Sequence, residues 1–215
     1  MLRILIVDDH MIIRSGLIRI LCENARIGAI GEAADGPAAL QQIRTATYDV
    51  ILLDIALGDR DGMDLLATLR HEMPRVGIVM LSVYPETQFA VRAIRSGANA
   101  YLNKSCHPDD LFSAIFKAAD GSTYITPVIA DLLARCVRQD VVRAPHEELS
   151  NREFQVLKLL AAGRSVGEIA QQLSLSSNTI FTYRARIYEK LGVRSIVELV
   201  SYTTRHQLAP LGETL

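Results

Sequence analysis

Asp8 and Asp9 follow the apolar run Leu2–Val7, and Asp54 closes the run Val50–Leu53. The run Val76–Leu81 ends on Ser82, and Tyr101-Leu102-Asn103 ends on Lys104. Four strand-like segments thus carry carboxylates, a hydroxyl and an ammonium to the same relative position. In a parallel sheet those groups meet at one edge, outside the carboxyl ends of the strands, where open sheets bind ligands. Carboxylates crowded together repel unless a cation neutralises them. Oxygen-only ligands favour a hard cation such as Mg²⁺, which keeps several waters and works with phosphate. A carboxylate can also attack phosphorus and become an acyl phosphate, the role open to Asp54. Mg²⁺ would then bridge phosphoryl oxygens, with Lys104 pairing another and Ser82 bonding a third. Taken singly, each residue has a plainer use: Asp8 or Asp9 as a turn or helix cap, Ser82 as a cap, Lys104 as surface charge, Asp59 and Asp61 as loop formers. Only their ordered placement argues for a site.

The surrounding pattern supplies that order. Strand-like runs at 2–8, 27–33, 49–54, 76–82 and 100–103 alternate with helical patterns at 10–25, 36–47, after Gly62 up to Pro74, 85–96 and 108–119. In the first helix Ile12, Ile13, Leu17, Ile20 and Leu21 are expected to face inward, and Cys22 to lie in the core. Five such units imply an α/β fold, a doubly wound parallel (β/α)5 sheet of flavodoxin-like type with helices on both faces. The central strands are continuous apolar runs, as burial on both faces requires.

Beyond this the chain changes character. Residues 127–138 read as one more helix, and 139–148, polar and interrupted by Pro145, as a linker. From Leu149 the pattern is all α. Ser150-Asn151-Arg152-Glu153 forms a capping box. Helices are expected to Ala162, over 166–173, over 177–191 and over 195–206, with a tight turn at 174–176. A short helix, a turn and a longer basic helix make a helix-turn-helix. The domains expected are therefore 1–122, a helix and linker over 123–148, and a four-helix domain over 149–215.

The net charge of −1 over 215 residues neither demands nor forbids a polyanion, but its distribution is uneven. Residues 1–124 hold 12 basic and 15 acidic side chains, and 146–215 hold 8 and 7. Arg184, Arg186, Lys190 and Arg194 cluster within eleven positions, on and just after the helix expected over 177–191, a footprint for a polyanion. Cys22, Cys106 and Cys136 are widely spaced with no CxxC, so neither a disulfide framework nor a zinc site is expected. No apolar run approaches the roughly 20 residues that span a bilayer, and the N-terminus enters a strand at once. A cytoplasmic protein with no membrane partner is expected.

On these residues, 1–122 resembles the receiver domain of a two-component response regulator, and 149–206 resembles the LuxR-type helix-turn-helix. Together they resemble the NarL/FixJ family over nearly the whole chain. The stretch Thr179-Ile180-Phe181-Thr182-Tyr183-Arg184-Ala185-Arg186 is most like the GacA/UvrY group, which has Tyr-Arg-x-Arg at these places. The resemblance implies that Asp54 is the phosphoacceptor, served by a sensor histidine kinase. It implies Asp9, Asp54 and the Ala56 carbonyl as direct Mg²⁺ ligands, Asp8 acting through water, Lys104 as the phosphate-binding lysine, and Ser82 with Tyr101 as the switch pair. It also implies a homodimer when phosphorylated, double-stranded DNA as ligand, and RNA polymerase as a candidate partner. Two positions depart from the family pattern. Ser105 stands where a proline usually follows the lysine, and Leu57-Gly58-Asp59 replaces Met-Pro-Gly. Losing that second proline loosens the loop beside Asp54, which bears on the rate of phosphoryl loss.

Phosphorylation would add charge at Asp54, draw Ser82 toward it and let Tyr101 turn into the vacated space, biasing a surface of the fourth helix, fifth strand and fifth helix. On the reading helix, Ile180, Ile187 and Leu191 share a core face at helical spacing, leaving Asn178, Thr182, Ala185 and Glu189 opposite. Thr179, Phe181 and Arg186 flank the groove side, and Arg184, Lys190 and Arg194 suit phosphates. With Phe181 and Tyr183 where relatives carry Lys and His, non-specific binding should be weaker. Ile196, Leu199, Val200 and Thr203 on the last helix serve either a dimer interface or packing within the domain. Two other functions compete. A phosphohydrolase using Asp54 would need a cap domain and a second acid two residues on, where Ala56 stands. A protein-binding module would show no steep salt dependence with DNA. The expectation is a phosphorylation-controlled transcription regulator, not an enzyme.

Overall fold

A computed structural model describes the chain except for residues 58–59, 139–144, 174, 207 and 209–215. The departure at Gly58 and Asp59, Ser174 of the turn, and most of the expected linker lie outside the described residues. The chain divides into two compact units, Met1–Asp140 and Val141–Leu215.

In the first unit, β1 (Leu2–Val7), β2 (Ile27–Ala33), β3 (Val50–Asp54), β6 (Gly77–Ser82) and β7 (Ala100–Asn103) form a parallel sheet in the order β2-β1-β3-β6-β7. Two short strands, β4 (Ala56–Leu57) and β5 (Arg60–Asp61), make a separate antiparallel ladder just beyond β3. Helices α1 (Met11–Cys22), α2 (Gly36–Thr45), α3 (Gly62–Glu72), α4 (Glu86–Arg95), α5 (Pro108–Ala119) and α6 (Pro127–Arg138) complete the unit. β1, β3 and β6 bury residues on both faces, as their unbroken Ile, Leu and Val runs require. One contiguous core joins Ile4, Ile6, Leu52, Val79 and Leu81 to Leu111 and Ile115 of α5. Local signals set the helix starts. The Asp35 carboxylate accepts the Ala38 amide ahead of α2, and Pro108 opens α5 where no amide partner is needed.

The strand order reverses between β1 and β3, and the crevice there is where a doubly wound sheet holds its ligand. Val7 lies level with Leu53, Asp54 with Leu81, and Ser82 with Asn103. Each register is one step from the residue that matters. Asp8, Asp54, Ser82 and Lys104 therefore leave the sheet at one edge.

Two expectations about α1 are corrected. Cys22 is exposed, and so is Ile12, at 81%. Leu21 takes the core position in the last turn, and its neighbour Cys22 is rotated about 100° away from it. Ile12 stands about 100° from the inward Ile13 for the same reason, at the start of the helix.

The second unit begins with a 3₁₀ turn, Pro145–Glu148, inside the stretch read as linker. It continues with α7 (Asn151–Ala161), α8 (Val166–Gln172), α9 (Ser177–Leu191) and α10 (Ile196–Arg205). Capping boxes start α7 at Ser150/Glu153 and α8 at Ser165/Glu168. Gly192 closes α9 at φ 67°, a left-handed backbone that suits a residue without Cβ. Phe154, Val156, Leu157, Ile169, Ile180, Ile187, Leu191 and Leu199 form the core.

Candidate functional site

The sheet edge gathers Asp8, Asp9, His10 and Asp54 so that one ligand atom from each lies within 4.8 Å of all the others. Asp8 and Asp54 are buried, while Asp9 and His10 form the exposed rim. Lys104 enters from the end of β7, its Nζ 2.7 Å from both Asp8 Oδ2 and Asp54 Oδ2. At this distance the ammonium makes a charge-assisted contact with each buried oxygen and bridges the two acids. The Asp8 position is fixed by its neighbours: Oδ1 accepts the His10 amide at 2.8 Å, and the backbone carbonyl accepts Arg14 Nη1 at 2.7 Å. Asp54 is fixed differently. A Cβ at Gly62 would overlap the Asp54 carbonyl oxygen, so only glycine lets the chain close back here, where the Gly62 amide meets the Ile55 carbonyl at 2.8 Å.

Burial pushes the Asp54 carboxyl up to about 6, with Lys104 pulling it down, Asp8 pushing it up and the Ala56 amide lowering it. Burial pulls the Lys104 ammonium down, but Asp54 and Asp8 outweigh that and leave it above its ordinary value. The amine is thus a lasting cation between two acids, with Asp9 within reach of the same point. That donor set fits a hard divalent cation. His10 was missed by the sequence reading. Its Nδ1 sits 2.7 Å from Asp9 Oδ1 and 3.3 Å from Asp8 Oδ1. The signal was its adjacency to the acid pair. Among the described residues no peptide bond is cis, so the Lys104–Ser105 bond is trans.

Ser82 and Tyr101 lie beside this pocket, both buried. Ser82 Oγ accepts the Tyr84 amide at 3.0 Å, and the Tyr101 hydroxyl donates to the Tyr84 carbonyl at 3.0 Å. Tyr101 is already inside, not half-buried as an edge-strand aromatic would be.

Comparison with known families decides the identity. The model described as "Response regulator receiver domain" matches residues 4–116, and "Bacterial regulatory proteins, luxR family" matches 147–203. The chain belongs to the response regulators. "Response regulator UvrY" of Escherichia coli (strain K12) is 34% identical over 209 residues, covering 97% of this chain and 96% of that one. "Response regulator GacA" of Pseudomonas aeruginosa is 33% identical over 207 residues, covering 96% and 97%. A solved structure of RcsB from Salmonella enterica serovar Typhimurium, bound to promoter rprA in the presence of phosphomimetic BeF3⁻, matches with TM-score 0.60 at 25% identity, over 94% and 98% of the chains. This response regulator is a phosphorylation-controlled DNA-binding transcription regulator and not an enzyme. Its receiver implies a sensor kinase as partner, and its acidic pocket is of the kind that suits Mg²⁺. Among the described residues no helix is long and apolar enough to cross a membrane.

In the regulator's second unit α9 presents Asn178, Phe181, Thr182, Ala185, Arg186 and Glu189 to solvent, with Thr179 and Arg184 partly covered. The Arg184 guanidinium lies 5.0 Å from the Phe181 ring centroid, a cation–π contact that holds the arginine beside the exposed Phe181. Arg194 is exposed. Lys190, expected to suit phosphate, is exposed and also serves the fold: its Nζ is 2.6 Å from Glu153 Oε2 and donates to the Glu148 carbonyl at 3.2 Å. Burial pushes the Glu153 carboxyl up, but the Lys190 bond and the Ser150 amide outweigh it and lower it overall. Lys190→Ala leaves that carboxylate buried and unpaired, so the domain should lose about 1–3 kcal/mol of stability. Urea unfolding of the purified protein measures this, and an unchanged midpoint would return Lys190 to the phosphate contacts.

The last helix divides. Leu199 and Thr203, expected at a dimer interface, are fully buried within the domain, and α10 packs on α7. Ile196 and Val200 remain exposed, joined by Val197 at 74%, which the sequence reading passed over. The physical reason is spacing. Positions 199 and 203 are one turn apart on the inner face, and 196, 197 and 200 follow the adjacent outer stripe.

Proposed function

We propose that Asp54 accepts a phosphoryl group from a phosphohistidine of a sensor histidine kinase, and that the modification changes dimerisation and DNA binding. In this reading residues 1–122 are the receiver, 123–148 the helix and linker, and 149–215 the DNA-binding domain. One Asp54 oxygen attacks phosphorus, and the P–N bond breaks with its electron pair returning to imidazole. Asp9, Asp54 and the Ala56 carbonyl would hold Mg²⁺ directly, with Asp8 behind a water. That cation, when bound, offsets charge on the phosphoryl oxygens. Lys104 leaves its pairing with Asp54 to meet one of those oxygens, and Ser82 bonds another. The observation that carries this reading is the buried pair Asp8 and Asp54, bridged by Lys104 at the strand-order reversal, with Asp9 within reach of the same point.

Asn178, Phe181, Thr182 and Ala185 then read bases, with Thr179 and Arg186 at their flanks and Arg184 and Arg194 on phosphates. Ile196, Val197 and Val200 form the two-fold contact of a DNA-bound homodimer, with RNA polymerase as a further partner and the cytoplasm as the setting. Two half-sites should then lie about one turn of DNA apart. The test is selection of bound duplexes from a random pool, with acetyl phosphate and Mg²⁺, comparing wild type with Asp54→Asn. Wild type should enrich a two-fold motif at least tenfold over the variant. Equal enrichment removes phosphorylation as the control, and no enrichment in either removes DNA as the ligand.

A further inference from the structure

Both switch residues grip the same peptide segment. Ser82 Oγ takes the Tyr84 amide and Tyr101 takes the Tyr84 carbonyl, each at 3.0 Å. Asn103 Nδ2 adds a 3.4 Å contact to that carbonyl, and the Tyr84 ring meets Phe89 edge-on at 5.4 Å. The residue held in this way stands just before α4. Two positions later Glu86 opens that helix, and its Oε2 accepts the Thr126 hydroxyl at 2.7 Å. Thr126 Oγ1 in turn accepts the Ile129 amide at 3.3 Å, at the start of α6.

α6 is seated as well as tied. It packs along α4, and Ile129 is fully buried in the first unit. Its lead-in is anchored where the Tyr124 amide meets the Asn99 carbonyl at 2.8 Å. Val128 and Val137 stay on its outer side, exposed. An unbroken run of contacts therefore leads from the acidic pocket to the last helix of the receiver unit: Ser82, Tyr84, Glu86, Thr126, α6. The chain continues from α6 toward the DNA-binding unit.

We infer that α6 is a latch on α4, caught by Thr126 on Glu86 and released when Asp54 is phosphorylated. The inference rests on the reading of Asp54 as phosphoacceptor. A phosphoryl group brings about −1.5 to −2 charge beside Ser82. The Ser82 hydroxyl turns to a phosphoryl oxygen, and Oγ leaves the Tyr84 amide. The segment into α4 then loses its hold on the amide side, and the Glu86 carboxylate moves off Thr126. The catch lies on that moving end of α4, so the helix that starts the connection to the DNA-binding unit is freed. A hydrogen bond to a charged partner is worth enough that its loss changes an opening equilibrium by roughly tenfold.

Hydrogen exchange on the full chain tests this, followed over residues 127–138. In EDTA the wild type should exchange slowly there, and acetyl phosphate with Mg²⁺ should speed it roughly tenfold. Thr126→Val, nearly the same shape without the hydroxyl, should exchange fast without phosphate and respond little to it. Thr126→Ser should restore the slow, phosphate-sensitive behaviour. Intact mass reports phosphoryl uptake in every sample. Uptake with unchanged or slower exchange over 127–138 overturns the latch and leaves the phosphoacceptor standing. Thr126→Val exchanging like wild type does the same. No uptake at all removes the Asp54 reading, and the latch with it.

Discussion

Asp54→Asn should melt at a higher temperature than the wild type in EDTA at pH 8, while taking up no phosphoryl group. The acid is buried, and burial pushes its carboxyl up to about 6 from 3.8, against the pull of Lys104. Between those two values the folded chain holds more protons than the unfolded one, so stability falls as pH rises through about 6. Below the unfolded value the acid is neutral in both states and costs nothing. Asparagine stays neutral throughout. The gap between variant and wild type should therefore open between about pH 4 and 6, stay at its full size above that, and vanish below pH 4. The shift corresponds to about 3 kcal/mol at most, reduced because Lys104 loses one of its two partners, so about 1–3 kcal/mol is expected. Thermal unfolding across that pH range measures it. A variant less stable than wild type at pH 8 would show that the Lys104 pairing outweighs desolvation. Mg²⁺ should raise the wild-type midpoint more than that of the variant.

The opposite outcome is expected for Lys104→Met. The ammonium is 9% exposed and lies 2.7 Å from both buried acids. Methionine fills the space and removes the charge. Two carboxylates then face each other without a counter-ion, and breaking a buried pair in this way costs about 3–5 kcal/mol. The loss should deepen as pH rises, because protonation of one acid relieves the repulsion. Mg²⁺ should restore much of it by supplying positive charge at the same place. Phosphoryl uptake should stay down about a hundredfold even so, since the group that meets the phosphoryl oxygen is gone. Urea unfolding in EDTA and in Mg²⁺ separates the two effects. Wild-type stability in EDTA would mean that the acids are not ionised together.

The acidic pocket was legible in the sequence because it is built from strand ends. Strands buried on both faces must be unbroken apolar runs, and the first polar residue after each run has few places to go. Asp54 after Val50–Leu53 and Ser82 after Val76–Leu81 follow from that alone, while Lys104 comes one residue later than the rule gives, after Asn103. Helix starts marked by Ser150, Pro108 and Ser176 were legible through their caps, and Gly192 through its left-handed turn. What could not be read was which side of a two-sided helix turns inward. Ile196, Leu199, Val200 and Thr203 satisfy one helical spacing, yet two are core and two are surface. Ile12 and Cys22 failed likewise, being hydrophobic neighbours of residues that took the core positions. The Lys190 ion pair was illegible for another reason: its partner Glu153 is 37 residues away, a distance at which a charge pattern carries no information about pairing.

That same carboxylate ties together two places that the chain visits far apart. Glu153 Oε2 holds the Ser150 amide at 2.7 Å, where the polypeptide enters its second unit, and Lys190 at 2.6 Å, near the tail of α9. The doorway of the domain and the stern of α9 thus share one oxygen atom. A tug delivered along the incoming chain therefore reaches the end of α9 by way of Lys190, through both Glu153 and the Glu148 carbonyl, whereas the end bearing Asn178 is steadied separately by the Ser176 cap.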